Sequence, residues 1–119
     1  MTSPCDLKER TKKVALRIIK LYCALPKTTE SQILGKQMLR SGTSVGAHYH
    51  EAQHAKSAAD FISKIEGATQ ECEETRYWLY LIQESGIVPG ERLGPLQTEG
   101  QELVAILVTI GLRAKNHLR

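Results

Sequence analysis

Apolar and small residues recur along this chain at intervals of three and four positions, which is the spacing of one face of an α-helix. The clearest run lies in the third quarter of the chain and comprises Phe61, Ile62, Ile65, Ala68, Thr69, Cys72, Thr75, Leu79 and Ile82. No alternating apolar and polar pattern of useful length indicates a β-strand. The pattern therefore predicts an all-α fold.

Local signals divide this pattern into four helices. Thr29 with Gln32, and Ser57 with Asp60, have the spacing of a capping residue and its partner in the first turn of a helix. Gly86 can adopt the left-handed conformation that ends many helices. The predicted helices span residues 6–24, 30–55, 58–85 and 91–116. Four helices joined by short loops predict one domain over residues 1–119, an up-down-up-down antiparallel four-helix bundle.

Two positions leave the helix geometry open. Gly42 lies within the run Ser41-Gly42-Thr43-Ser44 inside the second helix, where glycine costs about 1 kcal/mol relative to alanine. Either a bend or a close contact with another helix would account for a glycine there. Pro95 is compatible with the first turn of the last helix or with a break in a longer one.

The cysteines and the N-terminal sequence narrow the class of protein. Cys5, Cys23 and Cys72 are odd in number and include no pair at metal-ligand spacing, which argues against a disulfide framework and a cysteine zinc site. No apolar run approaches the roughly 20 residues that cross a membrane. Early charges such as Asp6 and Lys8 argue against a signal peptide. We expect a cytoplasmic protein that does not enter the membrane.

Positive charge is concentrated at the two ends of the chain. The net charge of +3 divides into +6 for residues 1–40, −6 for residues 41–110 and +3 for residues 111–119. The first helix carries a polar row that the last helix is expected to extend: Arg10, Lys13, Arg17 and Lys20, then Arg113, Lys115 and Arg119. Such a row can bind the phosphates of RNA or DNA, or can simply be a solvated helix face.

The third helix carries other polar and aromatic candidates. Its large aromatic residues are Tyr77, Trp78 and Tyr80. They could stack on bases, but we expect them to be committed to packing. Glu71 and Glu74 have no nearby nucleophile or histidine partner, and such carboxylates are usually members of ion pairs. Arg40, one helix earlier, is a candidate partner for them.

One short motif has the form of a zinc-protease site. The segment HEAQH from His50 to His54 matches HExxH, in which two histidines one turn apart hold zinc and the glutamate, here Glu51, activates water. Glu74 follows His54 by twenty residues, at a spacing comparable with the third ligand of acid-ligand zincins. The motif closes at a helix end, however, and no edge strand is available to align a peptide substrate. We therefore expect polar surface histidines without a metal or other cofactor, and a zinc hydrolase is the enzymatic alternative.

Four strings in the sequence resemble the signature of a known family. They are RSGTSVGA, EAQ, DFISK and ETRYWLYLI, and the resemblance covers essentially the whole chain, most densely from Gln37 to Gly86. The chain resembles the four-helix bundle proteins encoded within intervening sequences of bacterial 23S ribosomal RNA genes. That resemblance implies a left-handed bundle and assembly into homopentamers. The accessory variability proteins of diversity-generating retroelements are similar bundles, whose basic pentameric surface engages nucleic acid and a reverse transcriptase.

The residues that match the signature are expected to serve folding and assembly rather than catalysis. They are Arg40, Ser41, Gly42, Thr43, Glu51, Asp60, Phe61, Lys64, Glu71, Glu74, Thr75, Tyr77, Trp78 and Leu79. His48 and His50 stand where the family pattern usually has other residues, often Asn and Ala, so the HExxH match is a local variation on a framework without zinc. The basic row of the first helix is not part of the signature and is weaker than the basic surface of the retroelement proteins.

These observations together predict a non-enzymatic four-helix bundle that forms a homopentamer. Its basic helix surface is expected to contact RNA, DNA or a nucleic-acid-processing partner such as a reverse transcriptase. The alternative is a scaffold that binds another protein and has no affinity for nucleic acid.

Overall fold

Four helices form in the segments where apolar residues recur every three or four positions. The computed structural model describes the backbone of residues 4–118 and the side chains of residues 6–118. The helices are α1 (Pro4–Ala24), α2 (Thr29–Gln53), α3 (Ala58–Glu84) and α4 (Gly90–His117), and the described part of the chain contains no strand. The all-α four-helix fold predicted from the sequence is confirmed. Each helix end lies within two residues of its predicted position.

Side-chain hydrogen bonds define the start of α3, and a glycine defines its end. The Ser57 hydroxyl oxygen accepts a hydrogen bond from the backbone N–H of Asp60 at 3.0 Å. The Asp60 carboxylate in turn accepts one from the backbone N–H of Lys56 at 3.1 Å. At the other end Gly86 has a φ of 78°, a conformation that side-chain-bearing residues adopt rarely. The Ser57 hydroxyl therefore satisfies a free backbone N–H at the start of α3, and Gly86 allows the chain to turn away from the helix at its end.

The start of α2 uses different residues from those predicted. Thr28 is the capping residue, and its hydroxyl oxygen accepts from the backbone N–H of Ser31 at 3.4 Å. The predicted cap pair, Thr29 with Gln32, is therefore displaced by one residue. Gln32 instead donates from its side-chain amide to the carbonyl of Pro26 at 3.0 Å, which ties the connecting loop to the first turn of α2.

Consecutive helices run antiparallel around the bundle. Contacts join α1 to α2, α2 to α3, α3 to α4 and α4 to α1, whereas among the described residues α1 makes no close backbone approach to α3. These two helices therefore occupy opposite corners. The α2–α3 interface is the most extensive of the four and the α1–α4 interface the least extensive. None of the helices within residues 4–118 is both long and apolar enough to cross a bilayer.

Aliphatic side chains fill the space between the helices. The largest fully buried ones include Leu7, Ile18, Met38, Ile65, Leu79, Ile82, Leu93, Leu103 and Leu107. Gly42 allows α1 and α2 to approach, because a Cβ at this position would lie 2.9 Å from the Ile18 side chain. A close helix contact thus explains this glycine. α4 begins at Gly90 and continues through Pro95, whose missing N–H leaves one intrahelical hydrogen bond unmade.

Candidate nucleic-acid interface

The basic row predicted on α1 is divided by the way α1 packs against α4. Lys13, Arg17 and Lys20 are exposed to solvent. Arg10 points instead toward α4, and only 25% of its side chain is exposed. Three of the four predicted residues therefore remain together as an exposed row, and Arg10 leaves it.

Arg10 joins α1 to α4 through two carboxylates. Its Nε and Nη2 donate to Glu99 at 2.9 and 2.6 Å, and its Nη2 also donates to Glu102 at 2.9 Å. The hydrogen bond from Arg10 lowers the pKa of Glu99, although burial acts in the opposite direction. The same hydrogen bond raises the pKa of Arg10. This guanidinium is engaged in holding two helices together, which explains its absence from the exposed row.

A shallow groove of about 250 Å³ lies between the end of α1 and the start of α4. Its polar lining consists of Arg17, Lys20 and Arg92, and no carboxylate lines it. Its apolar lining consists of Leu21, Ala24, Val88, Leu93 and Leu96. Cationic side chains grouped in this way match the charge of a phosphate, and guanidinium groups can also bind it through two parallel hydrogen bonds. We name this feature the basic groove.

Arg92, the member of the basic groove that comes from α4, was not among the residues predicted from the sequence. The available signal was topological: α4 runs antiparallel to α1, so the first turns of α4 lie beside the last turns of α1. The charge pattern predicts instead the bases near the end of the chain, Arg113, Lys115 and Arg119. Arg113 stands eleven residues beyond Glu102, which is about 16 Å along a helix past the ion pairs of Arg10.

The C-terminal bases of α4 do not extend the row on α1. Lys115 has its Nζ 2.7 Å from a carboxylate oxygen of Glu66 on α3, so it faces a different neighbour. Arg113 is exposed, but it is separated from the row by the carboxylates that hold Arg10. Arg119 lies outside the described residues. The expected continuous basic surface is thus replaced by a local groove.

Signature residues cluster where α2 packs against α3. Arg40 Nη1 donates to Glu71 at 3.2 Å, and its Nη2 contacts Glu74. The Trp78 indole N–H donates to the same Glu74 carboxylate at 3.1 Å. The ion pairing expected for these glutamates is therefore present, and it links the two helices across their most extensive interface.

Further signature residues satisfy one another within the same pair of helices. The buried Thr75 hydroxyl lies 2.8 Å from the hydroxyl oxygen of Ser41, so two polar groups meet inside the core. Near the α2–α3 corner, Lys64 Nζ is 3.7 Å from Glu51 and 4.0 Å from Asp60. Phe61 and Leu79 of α3 pack into the core, and Gly42 of α2 faces Ile18 of α1. This arrangement accords with a role in folding.

The aromatic residues of α3 are divided between the core and the surface. Trp78 is partly buried and packs against the core. Tyr77 and Tyr80, in contrast, are exposed, so the expectation that all three are committed to packing is correct for Trp78 alone. The two tyrosines lie beside an open groove that Gln83 and Gln97 also line.

The HEAQH segment lies at the end of α2. His50 is in its last turn and His54 is the residue that caps it, and their rings meet edge to face with centroids 4.9 Å apart. Glu74, the suggested third ligand, is engaged by Arg40 and Trp78. Among the described residues, no group of three or more His, Cys, Asp or Glu side chains is arranged to hold a metal ion.

The exposed and buried cysteines differ in their expected reactivity. Cys23 is exposed on α1 and Cys72 is buried on α3. Burial raises the pKa of the Cys72 thiol to about 11, and the nearby Glu73 adds to the effect. The Cys72 thiol also donates a hydrogen bond to the carbonyl of Gly100 at 3.5 Å. A protonated, enclosed thiol of this kind is unreactive at neutral pH.

Comparisons with known proteins identify a family and a solved structure that this chain is similar to. A family model described as 23S rRNA-intervening sequence protein matches residues 5–109. A crystal structure of a protein with unknown function from the S23 ribosomal protein family of Bacteroides thetaiotaomicron VPI-5482 is 35% identical, with a TM-score of 0.85. The match covers 91% of this chain and 96% of that one. No curated protein matches the sequence.

Proposed function

The chain belongs to the 23S rRNA-intervening sequence protein family, and from this premise we propose that it is a non-enzymatic homopentamer that binds RNA or DNA through its basic groove. The observation that carries the proposal is the groove itself. Arg17 and Lys20 from one helix meet Arg92 from another, with no carboxylate in the lining. Phosphates of a nucleic-acid backbone are the ligands that this charge pattern favours.

Assembly makes a small groove more effective. One chain offers three bases, which is few for a nucleic-acid surface, and a pentamer is the assembly that the family resemblance implies. Five copies of the groove on one particle would engage one long strand at several points, so each further contact forms at a high effective concentration. Binding of this kind releases counterions and weakens steeply as salt rises.

The proposed binding is tested with fluorescently labelled single-stranded RNA, single-stranded DNA and duplex DNA. Anisotropy titrations at about 50 mM and about 200 mM salt give the affinity and its salt dependence. A variant that combines Arg17→Gln, Lys20→Gln and Arg92→Gln should lose at least about tenfold in affinity at the lower salt and show a shallower salt slope. Affinity that is unchanged in this variant would refute the basic groove as the binding site.

A matched control distinguishes binding at the basic groove from attraction by the net charge of the protein. Lys36, Lys56 and Arg113 are exposed bases elsewhere on the bundle, and replacing all three by glutamine removes the same charge. This control should keep most of the affinity. If control and groove variants lose affinity equally, the protein attracts nucleic acid only through its overall charge.

Two other results would replace the proposal. A wild-type oligomer with no affinity for any of the three nucleic acids would favour a scaffold for another protein. Near-stoichiometric zinc that is lost in His50→Ala or His54→Ala would favour a metal site at the HEAQH segment. Metal content of protein purified without chelators decides the second point.

A further inference from the structure

Large apolar side chains are exposed in pairs on α1, α3 and α4, the α4 pair being Val108 and Leu112, and the pairs on α1 and α3 lie on opposite corners of the bundle. On α1, Leu16 and Ile19 are 55% and 41% exposed, and we call them the α1 patch. On α3, Tyr77 and Tyr80 are 54% and 52% exposed, and we call them the α3 patch. Residues three apart on a helix are surface neighbours, so each pair forms one continuous patch. Grouped apolar exposure is typical of a surface that another molecule covers.

The two helices that carry these patches have opposite charge. α1 contains six bases and two acids, a net +4, and α3 contains six acids and two bases, a net −4. α2 and α4 each contain equal numbers of bases and acids. Because α1 and α3 occupy opposite corners, each chain has one basic edge and one acidic edge, both with exposed apolar residues.

The two patches also lie at similar heights along the bundle. Ile18 of α1 packs against Gly42 of α2, and the adjacent Ser41 meets Thr75 of α3. Ile18 is therefore level with Thr75. The α1 patch lies within two residues of Ile18 and the α3 patch within five residues of Thr75. At 1.5 Å per residue, each patch is therefore at most about 8 Å along the helix axis from the level that Ile18 and Thr75 share. α1 and α3 run in the same direction, so a rotation with little shift along the bundle aligns them.

We propose that copies of this chain associate head to tail, with the α1 patch of one copy packed against the α3 patch of the next. This inference rests on the homo-oligomer proposed above and names the surfaces that form it. Lys12 stands one turn from the α1 patch, and Glu73 and Glu84 stand one turn from the α3 patch, all three exposed. Opposite charges around an apolar centre favour this pairing over one between two identical edges.

A second copy fits these surfaces better than a nucleic acid does. The net charge of α3 is −4, so it repels phosphates even though tyrosines can stack on bases. The ion pair of Glu73 with Arg76 of the same helix is exposed and contributes little, so Glu73 can also face a base of another chain. Contact between two different surfaces repeats from copy to copy, and this is the contact type that closes a ring.

Complementation between two interface variants tests the proposal. Leu16→Glu places an acid in the α1 patch, which would face the acidic α3 edge, and Tyr77→Lys places a base in the α3 patch, which would face the basic α1 edge. Glutamate and lysine are both good helix formers. Each variant alone should be a monomer with the circular dichroism of the wild-type fold. An equimolar mixture should associate into dimers or larger species, because each partner supplies the surface that the other lacks. Sedimentation velocity of wild type, each variant and the mixture measures all four masses.

A control and several outcomes decide the result. Ile33 is 59% exposed on α2, outside both patches, and Ile33→Glu should keep the wild-type mass. If either patch variant keeps that mass, or if the mixture stays monomeric, the proposed contact is wrong. A monomeric wild type would instead refute the oligomer itself. Should either charged variant lose its helical signal, Leu16→Gln and Tyr77→Gln are measured in the same way, with the same two outcomes overturning the contact.

Discussion

The α2–α3 and α1–α4 interfaces are held together by different means. Between α2 and α3, ion pairs centred on Arg40 surround the buried contact of Ser41 with Thr75, and this interface is the most extensive in the bundle. Between α1 and α4 the interface is the least extensive. There, Arg10 bridges to two carboxylates, and the basic groove opens beside that bridge.

This difference shows how one small bundle can separate folding from binding. The α2–α3 interface contains most of the signature residues, and their polar groups are largely satisfied within the chain. It leaves little for a ligand to contact. The α1–α4 interface is partly open, and its exposed bases have no such commitment to the core. Substitutions that weaken each interface in turn test whether folding and binding depend on different interfaces.

The largest expected difference comes from truncating one leucine in each region. Leu79 is 1% exposed in the core of α3, so Leu79→Ala should lower the free energy of unfolding by about 2–5 kcal/mol. Leu96 lines the basic groove, where neighbouring groups can relax into the space, so Leu96→Ala should cost less. Urea unfolding followed by circular dichroism at one protein concentration measures both. Equal losses would mean that the two interfaces are similarly closed.

Removing the arginine at each interface should destabilise the protein less, and each substitution should loosen different helices. Arg10→Gln deprives Glu99 and Glu102 of their shared partner, and a loss of about 1–2 kcal/mol is expected from charged hydrogen bonds of this exposure. Because α1 has the weaker interface with α4, amide exchange should rise mainly in α1. Arg40→Gln should instead raise exchange in both α2 and α3. Hydrogen exchange with mass spectrometry distinguishes the patterns, and a uniform increase in both variants would contradict the comparison.

The sequence predicts local features well and helix rotation poorly. The helices, and the cap formed by Ser57 and Asp60, depend on residues close together in the chain, so spacing alone is informative. The partners of Arg10 and the place of Arg92 depend on how α4 lies against α1, which no single helical wheel contains. The exposure of Tyr77 fails for the same reason, because a small rotation of α3 decides whether an aromatic ring faces the core or the solvent.

The ion pairs of Arg10 predict a pH dependence specific to the α1–α4 interface. The folded pKa of Glu99 is lowered by Arg10, so its contribution to stability is complete above the unfolded pKa of about 4.3 and is lost as pH falls through the folded value. The raised pKa of Arg10 acts only in strongly alkaline solution. The stability difference between wild type and Arg10→Gln should therefore be constant between about pH 6 and 8 and shrink below about pH 4. A difference that does not shrink as pH is lowered, for as long as the protein stays folded, would show that Arg10 acts through packing instead.

Two glycine-to-alanine substitutions should have the smallest effects on stability, one stabilising and one destabilising. A Cβ at Gly111 in α4 would make an ordinary contact of 3.6 Å with the Ile65 side chain, so Gly111→Ala should stabilise the protein by about 0.5–1 kcal/mol through the lower entropy of the unfolded chain. A Cβ at Gly67 in α3 would lie 2.9 Å from Nδ1 of His48 on α2, so that ring must move and Gly67→Ala should be destabilising. Thermal unfolding of the two variants gives the signs directly. If both substitutions stabilise the protein, the α2–α3 interface can accommodate an added methyl group. Close packing between α2 and α3 would then not be the reason that the signature residues lie there.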